Sequence, residues 1–236
     1  MLILISCAKT MRGSSKTAVP YSTQPVFKKE AREIARQMKA YSAEELQGML
    51  KVNPAIAAEN RLRYHHFNTG ELALEAILAY SGIVFKKLAP ESFTKEDFEY
   101  AQKHLRITSF CYGLLRPLDK INPYRLEGDV VLPEYGITLF EFWRTRLTDL
   151  LIKDVKAAGG ILCNLASGEM RHLFDWKRVE KEVQVISPEF KTWRNGKLKT
   201  IVVYTKIARG ETAGYIIKNR IEKIEDLHFD ELNPII

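Results

Sequence analysis

The sequence predicts an α/β fold, a mixed α+β domain with helices around a mixed sheet, and three observations carry that prediction. The chain opens on an apolar run, Met1 to Ile5, that reads as a buried strand. Helical periodicity then dominates, and strand-like runs return at 161–165, 183–186 and 201–204. With 236 residues, 46% hydrophobic and 28% charged, the chain can fill a core without staples or metals. No repeat, low-complexity run or Gly/Ser linker offers a boundary, so residues 1–236 are expected to form a single domain.

After the first strand, residues 6–25 are polar, contain Gly13, Ser14 and Ser15, and predict a long loop. From Val26 to about Tyr80 the pattern is helical, with Phe27, Ala31, Ile34, Ala35 and Met38 on one face. Lys28, Lys29, Arg32, Arg36 and Lys39 occupy the rest, as a solvated surface or as a binding face. Ser42 with Glu45, Thr94 with Asp97 and Thr138 with Glu141 each place a hydroxyl three residues before a carboxylate, the spacing of a capping box. Three helix starts follow. The third helix should run with one apolar face until Gly159 and Gly160 stop it. Asn195-Gly196 signals a hairpin.

Composition excludes several classes. No apolar stretch approaches the ~20 residues that cross a bilayer, and the opening run lacks the basic leader of a secretory signal. Cys7, Cys111 and Cys163 are widely spaced and odd in number, which argues against disulfides or a zinc knuckle and for a reducing cytoplasm. Cys111 and Cys163 lie among apolar residues and read as inert, while Cys7 is the least apolar of the three. His65, His66, His104, His172 and His228 lack ligand spacing, so no metal is expected. Neither hydroxyl-rich loop has the spacing of a phosphate-binding P-loop, and no cofactor is expected. Thirty-six Lys and Arg against 29 Asp and Glu give a net charge of +7, which leans toward anionic partners.

Four segments carry candidate chemistry. Tyr112 to Asp119, followed by Pro123 to Glu127, gathers Arg116, Tyr124 and Arg125. Pro117 is compatible with a helix start. With the helical stretch from Lys95 to Ser109, the span reads as a helix-hairpin-helix that offers amides to phosphate. The alternative is a structural network in which Asp119 and Glu127 neutralise Arg116 and Arg125. From Lys191 to Arg220, eight cations, Lys206 and Arg209 among them, face the single acid Glu211. Trp193 and Tyr204 there are base-stacking platforms or core aromatics. Ser6 to Thr10 places Lys9 and Thr10 after the first strand, and Asn164 to Glu169 places Asn164, Ser167 and Glu169 after a later one.

These same residues resemble the YaaA family of peroxide-stress proteins over nearly the whole chain. The likeness rests on Leu4-Ile5-Ser6 with Ala8-Lys9-Thr10, Phe98 to Arg106, Tyr112 to Asp119, Pro123 to Leu126, Asn164 to Ser167 and Ala208-Arg209-Gly210. It implies a mixed α/β fold with a basic cleft, a helix-hairpin-helix-like element, DNA as a sequence-tolerant partner, and protection against peroxide by limiting reactive iron. On that frame Lys9, Thr10, Arg116, Tyr124, Arg125, Asn164, Ser167, Lys206 and Arg209 should converge on one cleft, with Lys191 contributing to it. Cys7 stands where the family tends to have proline, Ile207 where it tends to be basic, and Gly214 where arginine is usual. The chain also ends at Asn233-Pro234-Ile235-Ile236, short of an aromatic, glycine-containing tail. The rival expectation is an enzyme holding a small phosphorylated or carboxylated substrate, with Asp119, Glu127 or Glu169 as its acid or base. A third is that the motifs only hold the fold.

Overall fold

The central strand β1 (Leu2–Ile5) is buried along its whole length, which fits a strand covered on both faces and paired on both edges. The computed structural model describes residues 1–194 and 196–227. After β1 come a long loop and the helices α1 (Lys28–Lys39), α2 (Ala43–Leu50) and α3 (Pro54–His65). Next are β2 (Leu74–Glu75), α4 (Ala76–Ala79), α5 (Ile83–Leu88) and α6 (Lys95–His104). Strands β3 (Leu105–Ser109), β4 (Gly113–Leu115), β5 (Lys120–Ile121), β6 (Val131–Leu132) and β7 (Ile137–Thr138) precede the long α7 (Leu139–Ala157). The chain continues with β8 (Ile161–Asn164), α8 (Trp176–Glu182), β9 (Gln184–Ile186), the hairpin β10 (Thr192–Arg194) and β11 (Lys197–Lys199), and α9 (Val202–Asn219).

The main sheet runs β4-β3-β1-β8-β9, with β3, β1, β8 and β9 parallel and β4 antiparallel on one edge. This is the mixed sheet the sequence predicts. Leu4 pairs with Arg106 on one side and with Asn164 on the other. Leu2, Ile3, Leu4 and Ile5 join one continuous cluster with Leu105, Ile107, Leu162, Trp143, Leu147 and Leu151. Each such aliphatic burial stabilises by about 1.5–3 kcal/mol.

Local signals set the helix ends. Ser42, Thr94 and Thr138 each accept from the backbone of Glu45, Asp97 and Glu141, and the acid side chains answer the cap residue's own N–H. α7 stops at Gly159 and Gly160, both with positive φ, where the Gly160 N–H turns back to the Val155 carbonyl at 2.8 Å. No helix among the described residues is long and apolar enough to cross a membrane.

Two expectations fail here. The helix-hairpin-helix does not form: α6 passes straight into β3, with Leu105 already extended, and Tyr112 to Asp119 folds as a turn, β4 and a second turn. Leu105, Arg106 and Ile107 each find a partner in β1, a non-local gain that overrides the helical pattern continuing to Ser109. No helix starts at Pro117; the Asp119 N–H instead closes a turn on the Arg116 carbonyl at 3.1 Å. The run Ile201 to Tyr204 is not a strand either, because α9 begins at Val202 and leaves Val202, Val203 and Tyr204 exposed. Arg209 and Gly210 therefore lie inside a helix. The hairpin does occur, but between β10 and β11; Asn195 itself lies outside the described residues.

α9 lies directly on α5 through Gly210 and Gly214. A Cβ at Gly210 would stand 2.3 Å from the Val84 carbonyl oxygen, and one at Gly214 would stand 3.1 Å from that of Leu88. Gly210→Ala is therefore expected to destabilise by about 1–3 kcal/mol and to lower the melting temperature by several degrees. Gly48→Ala on α2, where nothing lies within 4 Å, should be neutral or stabilising. Equal melting temperatures for the two variants would contradict this packing.

Candidate functional site

A cavity of about 410 Å³ opens at the carboxyl ends of β1, β3 and β8. Its lining comes from four places. The loop after β1 supplies Ser6, Cys7, Ala8, Lys9 and Thr10, and the start of α5 supplies Gly82 to Phe85. Tyr124 to Glu127 form one wall, and Leu165, Ser167, Glu169 and Met170 follow β8. Phe110 follows β3, and α9 contributes Lys206 and Arg209. Lys206 and Arg209 share one helix face because they are three residues apart.

The strand ends are tied together by hydroxyl groups. The Ser167 N–H donates to Ser6 Oγ at 2.8 Å, and the two hydroxyls lie 3.3 Å apart. Close packing of the Ser6–Thr10 loop against α5 requires glycine at 82, whose Cβ would stand 2.9 Å from that of Ala8. Behind the wall, the Tyr124 hydroxyl is spent inside the protein, 2.7 Å from Tyr80 Oη and 2.6 Å from Ser109 Oγ. Burial holds the Tyr124 hydroxyl well above its usual range, so it remains protonated.

Seven of the ten residues expected to converge do line this cavity: Lys9, Thr10, Tyr124, Arg125, Ser167, Lys206 and Arg209. Three do not. Arg116 is turned toward Asp119, a fully buried carboxylate that takes the Arg116 N–H at 2.8 Å and its guanidinium at 2.8 Å. The amide and guanidinium expected to hold phosphate thus hold an internal acid. Asn164 is buried, accepts from the Ala166 N–H at 3.2 Å and donates to Ser187 Oγ, so it shapes the turn that delivers Ser167. Lys191 lies just before β10 and pairs with Glu189 at 2.6 Å.

Charge pairing inside the cavity is uneven. Glu127 Oε1 takes both the Arg125 guanidinium, at 2.7 Å, and Lys9 Nζ, at 3.1 Å. Lys206 and Arg209 form no ion pair among the described residues, and neither does Glu169. Burial lowers the Arg209 pKa below the usual guanidinium range, the mark of a cation withdrawn from water without a counter-charge. Glu169 and Glu127, the sequence's candidate carboxylates for a rival site, line the cavity, as does Ser6 of the Ser6–Thr10 segment; the α5 start and Phe110 carry no signal in the sequence. A six-residue helix opening on Gly82 is too short to declare itself by periodicity.

Cys7 sits half-buried in the cavity wall. Burial first, then the negative charges of Glu169 and Glu127, push its thiol up to about 12. Cys111 and Cys163 are buried, and burial likewise raises both thiols. No group of three or more His, Cys, Asp or Glu able to hold a metal occurs among the described residues.

The fold and the cavity define an α/β protein with a small, charged recess at the carboxyl edge of a mixed sheet. The chain belongs to the family described as peroxide stress protein YaaA, whose model matches residues 1–232. It is 64% identical over 229 residues to a UPF0246 protein of Bacteroides fragilis, covering 96% of this chain and 89% of that relative. A UPF0246 protein of Bacteroides thetaiotaomicron is 62% identical, with 96% and 89% covered. One from Crocosphaera subtropica is 38% identical, with 98% and 95% covered.

A protonated thiol does not react as a nucleophile. Iodoacetamide should therefore label Cys7 in the folded protein at pH 8 at least ~100-fold more slowly than in the denatured chain. Its rate should climb about tenfold per pH unit through pH 10, because the thiolate appears only as pH nears 12. Site-resolved mass spectrometry reads this, and a plateau near pH 8.5 would contradict it.

Proposed function

We propose that this peroxide stress protein uses its cavity to hold a small phosphorylated or carboxylated molecule. The observation that carries the reading is Arg209, half-buried with Lys206 beside it and with no carboxylate partner among the described residues. A cation partly withdrawn from water and left without a counter-charge is less well solvated than a free one, so the arrangement favours an anion arriving from outside. Ser6, Thr10 and Ser167 add hydroxyl donors. A recess of about 410 Å³ suits a small ligand and is far too narrow for a duplex. Glu169, an exposed carboxylate with no ion pair among the described residues, lines the same recess.

Calorimetry with 3-phosphoglycerate as the probe tests this. The wild type should bind in the micromolar to millimolar range, and Arg209→Ala and Lys206→Ala should each weaken binding by at least about tenfold, the worth of a charge-assisted hydrogen bond. Unchanged affinity in Arg209→Ala would reject the reading.

DNA binding is the second reading, and a different surface supports it. On the β10–β11 hairpin, Trp193 is 69% exposed opposite Leu198, while Arg194 pairs across from Lys197 and Lys199 lies one step further. Tyr204 is exposed nearby. These aromatics are available for stacking, and the cations for phosphates. Cations that displace condensed counterions from DNA would displace ferrous ions with them, which links this reading to limiting iron-dependent damage. Fluorescence anisotropy with a 20-base-pair duplex should show affinity falling with salt at a logarithmic slope of about −3. Lys197→Ala with Lys199→Ala should flatten that slope, and Arg209→Ala should leave it unchanged. A salt-independent affinity would exclude this mode.

A further inference from the structure

We infer that the cavity ligand is a mononucleotide, a nucleoside with one phosphate, an assignment that rests on the small-anion reading above. Three independent features of the recess point the same way: its two opposed charges, its size and its place in the sheet.

The recess has two poles. Lys206 and Arg209 form the cationic pole, unpaired among the described residues. Glu169, an exposed side chain, forms the other, with no ion pair or hydrogen bond to any described residue, and Glu127, which also lines the recess, has only Oε1 engaged. A ligand that is nothing but an anion answers the first pole and leaves the second facing like charge. The ligand that answers both carries an anionic head and, some distance away, hydroxyl donors for a carboxylate. A sugar diol supplies such donors to an acid at a strand end. The same cavity is also lined by the apolar side chains of Ala8, Phe110, Leu165 and Met170, which suit the faces of a sugar and a base.

Size narrows the class. An inorganic phosphate occupies on the order of three waters, roughly 90 Å³, and would leave most of the cavity of about 410 Å³ empty. A cavity of this volume falls in the ordinary range of small-ligand sites, which accommodates a single nucleotide.

The place in the fold agrees. From β1 the chain leaves toward β3 on one side, and from β8 it leaves toward β9 on the other. The carboxyl ends of β1 and β8 are therefore adjacent strand ends whose connections diverge, the crevice where open α/β sheets bind ligands. Ser6 and Ser167, joined by the 2.8 Å hydrogen bond, sit at that divergence and line the same cavity as Lys206 and Arg209.

Calorimetry of the full chain with AMP, ribose 5-phosphate, adenosine, octanoate and inorganic phosphate tests the inference. AMP is expected to bind at least 100-fold tighter than inorganic phosphate or adenosine. Arg209→Ala should bring AMP down toward adenosine and leave adenosine itself unchanged. Glu169→Gln should weaken AMP and ribose 5-phosphate about tenfold and leave inorganic phosphate unchanged. If AMP binds no tighter than inorganic phosphate, if octanoate exceeds it, or if Glu169→Gln has no effect, the nucleotide assignment falls while the anion cavity stands. If no phosphate compound responds to Arg209→Ala, both fall together.

Discussion

Arg209 is held half out of water beside Lys206, and no acid of the described chain comes to meet it. Elsewhere the same protein pairs guanidinium groups that are buried, as Arg106 is, or partly buried, as Arg116 is. Arg106 lies against Asp154 at 2.6 Å and donates to two backbone carbonyls, and Arg116 is closed on Asp119. Those pairs are internally neutral and hold β3 to α7 and the Pro117 turn to itself. Arg209 keeps its place because α9 cannot move away: Gly210 and Gly214 let its backbone sink onto α5, and any side chain there would strike a carbonyl. Packing thus fixes a cation where electrostatics alone would not leave it.

The other side of the recess follows from β1. A strand paired on both edges delivers Ser6 to the same point where β8 delivers Ser167, and the two serines lock to each other. Asn164, with its side chain turned back on Ala166, sets that approach. Within this frame Cys7 is kept as a neutral thiol by burial and by two nearby carboxylates. Membership in a peroxide-stress family therefore does not make this cysteine a peroxide-reactive thiolate; the cavity chemistry lies with its cations, hydroxyls and Glu169.

How much of this was legible depended on the range of the forces involved. The capping boxes at Ser42, Thr94 and Thr138 and the stop at Gly159-Gly160 act within a few residues, so spacing revealed them. The parallel strand β3 takes its stability from β1, a hundred residues away, and its sequence reads equally well as the end of a helix. That ambiguity produced the helix-hairpin-helix expectation. Ile201 to Tyr204 misled in the opposite sense, because β-branched residues that suit a strand sit in an exposed first helical turn. The cavity cations lie in motif segments, and spacing left open whether Asp119 and Glu127 neutralise Arg116 and Arg125, as they do. Arg116 and Arg125 each have an acid two or three residues on, and both use it; Arg209 also has one two residues on, Glu211, but on a helix that spacing does not bring the two side chains together, and Glu211 pairs with Lys87 instead.

A crystal of the protein soaked in tungstate, with the anion located by its anomalous signal, tests the central claim most directly. The site is expected between Lys206, Arg209 and Ser167, at the carboxyl ends of β1 and β8, and to vanish in Arg209→Ala. Tungstate found only on the β10–β11 hairpin, or unaffected in the cavity by that substitution, would contradict the account.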